Sequence, residues 1–180
     1  MTATKVLRGV VLGLALLVTV LGGAFVVAET MGDPGGIVAV LAWALPMGGL
    51  SAYALRRPAT ASPLLMVAAA VVMLFVVLDA AVDIVPHGAG PVGAIAVFAD
   101  AVPLGCLGVH LPAKAGALLV VVGAVSLNIT IWTRSGAGAG AALGGSSGAV
   151  AVMTFVFGAL FLAVAAAERL SHRPRPHLKP

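Results

Sequence analysis

Charge is what this sequence has least of. Asp, Glu, Lys and Arg make up 9% of its 180 residues and hydrophobic types 61%, whereas an ordinary soluble domain carries roughly 25% charged residues. So little charge cannot clothe a surface in water, which excludes a soluble globular domain and points to a membrane protein. Aromatic residues are few as well, at 5%, while there are 23 glycines and abundant alanine. Small residues of this kind let helices approach one another closely in lipid. The single cysteine, Cys106, excludes an internal disulfide; with no CxxC partner and no charged neighbour to activate it, it reads as a packing residue. A net charge of +4 is too modest for a nucleic-acid partner.

What the sequence does have is continuous apolar runs. A bilayer core about 30 Å thick takes on the order of 20 helical residues, and six runs approach or reach that length: 7–28, 37–55, 64–85, 92–109, 115–132 and 150–167. They do not alternate apolar with polar, so barrel strands are not expected. The reading is an all-α integral membrane protein with six transmembrane helices over 1–167 and a basic, proline-broken tail over 168–180, ERLSHRPRPHLKP, expected to be extended. The first run, with Lys5 and Arg8 as a basic n-region at its start and Val26 and Ala28 near its end, has the outline of a signal peptide. Its apolar stretch is longer than the usual stretch of about 7 to 15 residues, so a retained helix is expected.

Basic residues then fix the orientation, because short cytoplasmic loops carry the excess of Lys and Arg. With the N-terminus inside, Lys5, Arg8, Arg56, Arg57, Lys114, Arg169, Arg173, Arg175 and Lys179 fall on the cytoplasmic side, and Arg134 alone falls outside. Nine against one predicts both termini in the cytoplasm, in a cell membrane of the bacterial cytoplasmic type.

The sequence also repeats. AVLAWALPMGGL at 39–50 matches AVFADAVPLGCL at 96–107 at seven of twelve positions, and RPATASPLLMVAAAV at 57–71 matches LPAKAGALLVVVGAV at 111–125 at eight of fifteen. The second and third spans and the fourth and fifth spans are therefore expected to be two copies of one hairpin, in the same orientation about an axis along the membrane normal. Pro46 and Pro103 occupy equivalent places, each kinking its helix and freeing a carbonyl four residues earlier, that of Ala42 or Ala99. One difference between the copies is chemical: Trp43 in the first is Asp100 in the second.

Asp100 belongs to a group of acids in the stretch FVVLDAAVDIVPHGAGPVGAIAVFADAVPLG, 75–105. Asp79 and Asp83, four residues apart, are expected on one helix face, Asp83 near the outer interface and Asp79 a turn deeper. Asp100 is expected about 12 Å below the same surface. Ser126, Asn128 and Thr130 on the fifth span reach comparable depth. Carboxyl groups inside a membrane are costly and tend to face a bundle interior or a water-filled path. The set therefore reads as a proton or small-cation path through Asp83, Asp79 and Asp100, lined by Asn128 and Thr130. In the competing reading the same acids only pair helices. His87 could join Asp79 and Asp83 around a divalent cation, but no metal is expected from so common a spacing. His172 and His177 in the tail lack companion ligands.

GSSG at 145–148 matches the G-x-S-G pattern around the nucleophile of rhomboid intramembrane serine proteases. That family needs a histidine on a later span, and no span follows the sixth, so the match makes an intramembrane serine hydrolase only a remote alternative. GAGAGA within 134–148 lacks the strand that would make it a dinucleotide loop, and a flexible connection is expected there. The expectation is thus a non-enzymatic transporter or channel without a cofactor, homo-oligomeric because one chain of this size makes only a thin-walled path. The main alternative is a non-catalytic accessory or assembly subunit that engages a partner membrane protein. The lipid bilayer is the partner common to both.

Overall fold

The computed structural model describes residues 6, 9–11, 13, 14, 36–84, 92–133 and 146–171, with the backbone alone at 36–40, 42–44, 146 and 171. Every element among them is helical: α1 Gly36–Arg56, α2 Pro58–Val82, α3 Val92–Gly108, α4 Pro112–Thr133 and α5 Ser146–Ser171. Three stretches, Pro58–Val82, Pro112–Thr133 and Ser147–Leu170, are long and apolar enough to cross a membrane, and Val92–Gly108 is a shorter apolar helix. The five helices overlap the second to sixth apolar runs of the sequence. The first lies largely outside the described residues; its described positions are helical, and one of them, Val11, is buried in the core.

The boundaries follow local chemistry. α2 begins at Pro58 and α4 at Pro112, each with proline in the first turn, where a missing N–H costs nothing and the fixed φ suits the helix. α2 accordingly starts six residues before position 64, where its apolar run begins, and carries a second proline, Pro63, inside it. Arg57 alone separates α1 from α2, and the Tyr53 hydroxyl donates across the break to Thr60 Oγ1 at 3.0 Å. α3 ends in a turn closed by His110 N–H to the Leu107 carbonyl and Leu111 N–H to the same oxygen, at 3.0 and 2.8 Å. α5 runs on through Ser171, so Glu168–Ser171, expected to be extended, is helical, with Arg169 in the last turn where it complements the helix dipole.

α3 is the central helix and packs against each of the other four. α4 and α5 form the closest pair, antiparallel and backbone to backbone. A Cβ on Gly116 would lie 2.9 Å from the Gly158 carbonyl oxygen, and one on Gly158 would lie 2.5 Å from the Val120 nitrogen. The core gathers Leu65, Leu104, Leu107, Leu119, Val122 and Phe161. Outside it, Leu64, Val67, Val71, Leu74 and Val82 of α2 stay exposed, the surface a bilayer covers and water would not tolerate over such an area.

Candidate functional site

α3 offers its partners mostly small or branched side chains, and on one face Ala96, Val97, Asp100, Pro103 and Leu104 are all buried. Asp100 is 0% exposed. It stands eight residues from either end of Val92–Gly108, about 12 Å from each at the helical rise, so it lies at the midpoint of the helix. Among the described residues, neither carboxyl oxygen has a hydrogen-bond partner. A polar group in that position costs on the order of 1–3 kcal/mol, and a bare charge costs far more. Pro103 is buried one turn further on, and the missing N–H leaves the carbonyl of Ala99, the residue before Asp100, without its helical donor.

α4 supplies the other buried polar groups. Ser126 and Thr130 lie one turn apart on its inward face, 6% and 8% exposed. Thr130 Oγ1 donates to the Ser126 carbonyl at 2.8 Å, a local bond that satisfies the hydroxyl. Ser126 Oγ has no partner among the described residues. Counting back from the turn that joins α3 and α4, Ser126 is 14 residues from Pro112 and Asp100 is eight from Gly108. That is a difference of six rises, so the serine stands about 9 Å further from the turn.

The other expected site residues divide. Asp79 is half-buried near the end of α2 and makes a polar interaction of its own. Asp83 is exposed and does not share its helix face: α2 stops at Val82, and Asp83 takes a left-handed conformation at φ 50°, ψ 54° while its N–H donates to the Asp79 carbonyl at 2.9 Å. Aspartate tolerates that region better than most side chains, which is why the helix can end there. Asn128 is exposed, and its Nδ2 donates to the carbonyl of Ala124 on its own helix at 2.8 Å. Of the two kink prolines, Pro103 is buried and Pro46 exposed. The structure therefore brings Asp100, Ser126 and Thr130 into the interior, leaves Asp79 at its edge, and places Asp83 and Asn128 outside it.

Among the described residues, no group of three or more His, Cys, Asp and Glu side chains could hold a metal ion. His87 lies outside them. Ser147 is half-buried in the first turn of α5, and among the described residues no hydrogen bond joins it to a histidine. Two features escaped sequence reasoning. Ser51 of α1 faces the Cys106 thiol across to α3 while also donating to the Met47 carbonyl at 2.7 Å. A cavity of about 40 Å³, bounded by Phe98, Ala101, Gly105, Leu119, Thr154 and Phe161, lies between α3, α4 and α5. The lone serine in an apolar run signalled the first; nothing in a single sequence signals the second. No family model, curated protein or solved structure matches this chain, so its function is read from these residues.

Proposed function

We propose that this is a small multi-pass membrane protein that passes protons across the bilayer, with Asp100 as its central proton-carrying group. The observation that carries the reading is the carboxyl at the midpoint of the central helix, sealed from the surface and, among the described residues, without a hydrogen-bond partner. Such a group costs stability, and within membranes it marks an ion or proton route. The route proposed runs from Asp83 at an exposed helix end to half-buried Asp79, past Thr130 and Ser126, to Asp100. Protons are favoured over a small cation because a cation asks for several oxygen ligands at once, whereas a proton asks for one carboxyl.

The wider architecture belongs to the same proposal: six spans, both termini in the cytoplasm of a bacterial cell, and a duplicated hairpin. Burial along the second helix of each copy supports the duplication. The five buried residues of α2, Ala61, Ser62, Leu65, Ala69 and Val72, fall at the positions of Ala115, Gly116, Leu119, Gly123 and Ser126 of α4, and all five of those are buried too. A thin-walled path of this size is proposed to work as a homo-oligomer.

The test is proton uptake by sealed liposomes holding the purified protein, driven by a potassium diffusion potential. Asp100→Asn keeps size and hydrogen-bonding capacity but carries no exchangeable acid proton, and it is expected to stop the flux. Undiminished flux in that variant would rule the reading out.

Asn128 favours the second reading, an accessory subunit. An exposed amide within a span is the kind of group that hydrogen-bonds across to a neighbouring helix. Asn128→Leu separates the two: under transport it leaves flux unchanged, and under the accessory reading it reduces co-purification of a partner membrane protein.

A further inference from the structure

Where α3 turns into α4, the last turns of α5 stand alongside and leave an open groove of about 550 Å³. His110 comes from the turn, Lys114 from the first turn of α4, and Glu168 and Arg169 from the end of α5, over a floor that includes Pro112 and Ala165. Lys114, His110 and Arg169 are exposed, while Pro112 and Ala165 are buried. We propose that this groove binds the phosphate headgroup of an anionic phospholipid, with Lys114 and Arg169 as the two cations that recognise it.

The charges are not scattered. Lys114 and Arg169 belong to different helices, 55 residues apart in the chain, yet line one concavity. Loop charges that only set orientation have no need of a shared pocket. Arg suits a phosphate because its planar fork meets two oxygens at once, and Lys adds a compact point charge. Pro112 has no N–H and the Ala115 N–H donates to the Leu111 carbonyl at 3.0 Å, so at this end of α4 Ala113 and Lys114, both lining the groove, carry the N–H groups without a helical acceptor.

Size and lining point to a lipid rather than a free anion. The groove falls within the range of roughly 300–1,000 Å³ that takes small organic ligands, far more room than a bare phosphate fills. Its floor is apolar where it meets the helices and its rim is charged, which suits a headgroup with glycerol and acyl carbons behind it. Lys114, Arg169 and Glu168 sum to a formal +1, and Glu168 is already engaged in a polar interaction of its own. A phosphodiester with a single charge fits that sum better than a doubly charged free phosphate. The groove also lies at the ends of two long apolar helices, the level at which a bilayer places its phosphates, and basic pockets between spans are known lipid-headgroup sites.

The test uses the full chain in a neutral detergent, titrated calorimetrically with dihexanoyl-phosphatidylglycerol, dihexanoyl-phosphatidylcholine and inorganic phosphate. Phosphatidylglycerol is expected to bind and phosphatidylcholine not to. The double variant Lys114→Gln/Arg169→Gln is expected to weaken binding roughly 25-fold, about fivefold for each cation. Arg56→Gln/Arg57→Gln, the same loss of charge outside the groove, is expected to leave it unchanged. Equal weakening by both double variants, wild-type binding by the first, or equal binding of phosphatidylcholine would overturn the proposal. Inorganic phosphate competing as strongly as phosphatidylglycerol would overturn the lipid and make a soluble phosphate the ligand.

Discussion

Asp100→Val is expected to stop proton flux and, at the same time, to raise the stability of the purified protein by about 1–3 kcal/mol. Most substitutions at a fully buried position lower stability. The opposite sign is expected here because neither oxygen of Asp100 has a partner among the described residues, so folding dehydrates the group with no hydrogen bond from them in return. Valine removes that cost while keeping a side chain of similar size among Ala96, Val97 and Leu104. Asp100→Asn makes the comparison sharp: its amide still goes unpaired, so flux is lost with little gain in stability. Thermal unfolding in detergent, alongside the liposome assay, reads both effects. A valine variant less stable than the wild type would mean that the carboxyl serves the fold and not a path.

The second large effect is expected at Gly158. Even one methyl group there would lie 2.5 Å from the Val120 nitrogen, a backbone atom that no rotamer change can move aside. Gly158→Ala must therefore push α4 and α5 apart, at a cost in the upper part of the range of about 1–3 kcal/mol found for overpacked sites. Gly158→Leu is expected to leave no folded protein. Gly105 is the control, because an added Cβ there meets nothing within 4 Å and the residue borders the small cavity. Gly105→Ala is expected to be neutral or stabilising by up to about 1 kcal/mol, the ordinary helix preference for alanine over glycine. Thermal unfolding of both variants separates a packing requirement at Gly158 from a general cost of altering glycines. Equal costs would remove the close-approach account of the pair.

How much of this was legible beforehand depended on which physical signal a residue carries. The helices follow from hydrophobicity alone, and the burial of Asp100 was foreshadowed because a lone acid in the middle of an apolar run has few places to go. The helix ends were harder. Pro58 and Pro63 look like breakers, yet the first turn of α2 makes use of Pro58. Asp83 looked like a helix-face partner of Asp79, but as the left-handed cap its side chain no longer follows the helical period. The exposure of Asn128 was not legible because α4 is apolar nearly all round, and such a helix has no stripe to say which side faces in. Glycines carry even less: Gly105, Gly123 and Gly158 look alike in sequence, and only the facing helix decides which of them has no room for a methyl group.

The central claim is that protons reach Asp100 and leave it. Infrared difference spectroscopy of the protein in lipid tests this most directly, by following the carboxylic C=O stretch as the external pH is stepped. The account predicts a band that comes and goes reversibly with pH, shifts in D2O and is missing from Asp100→Asn. An Asp100 band that stays constant across the pH range in which flux is measured would contradict it.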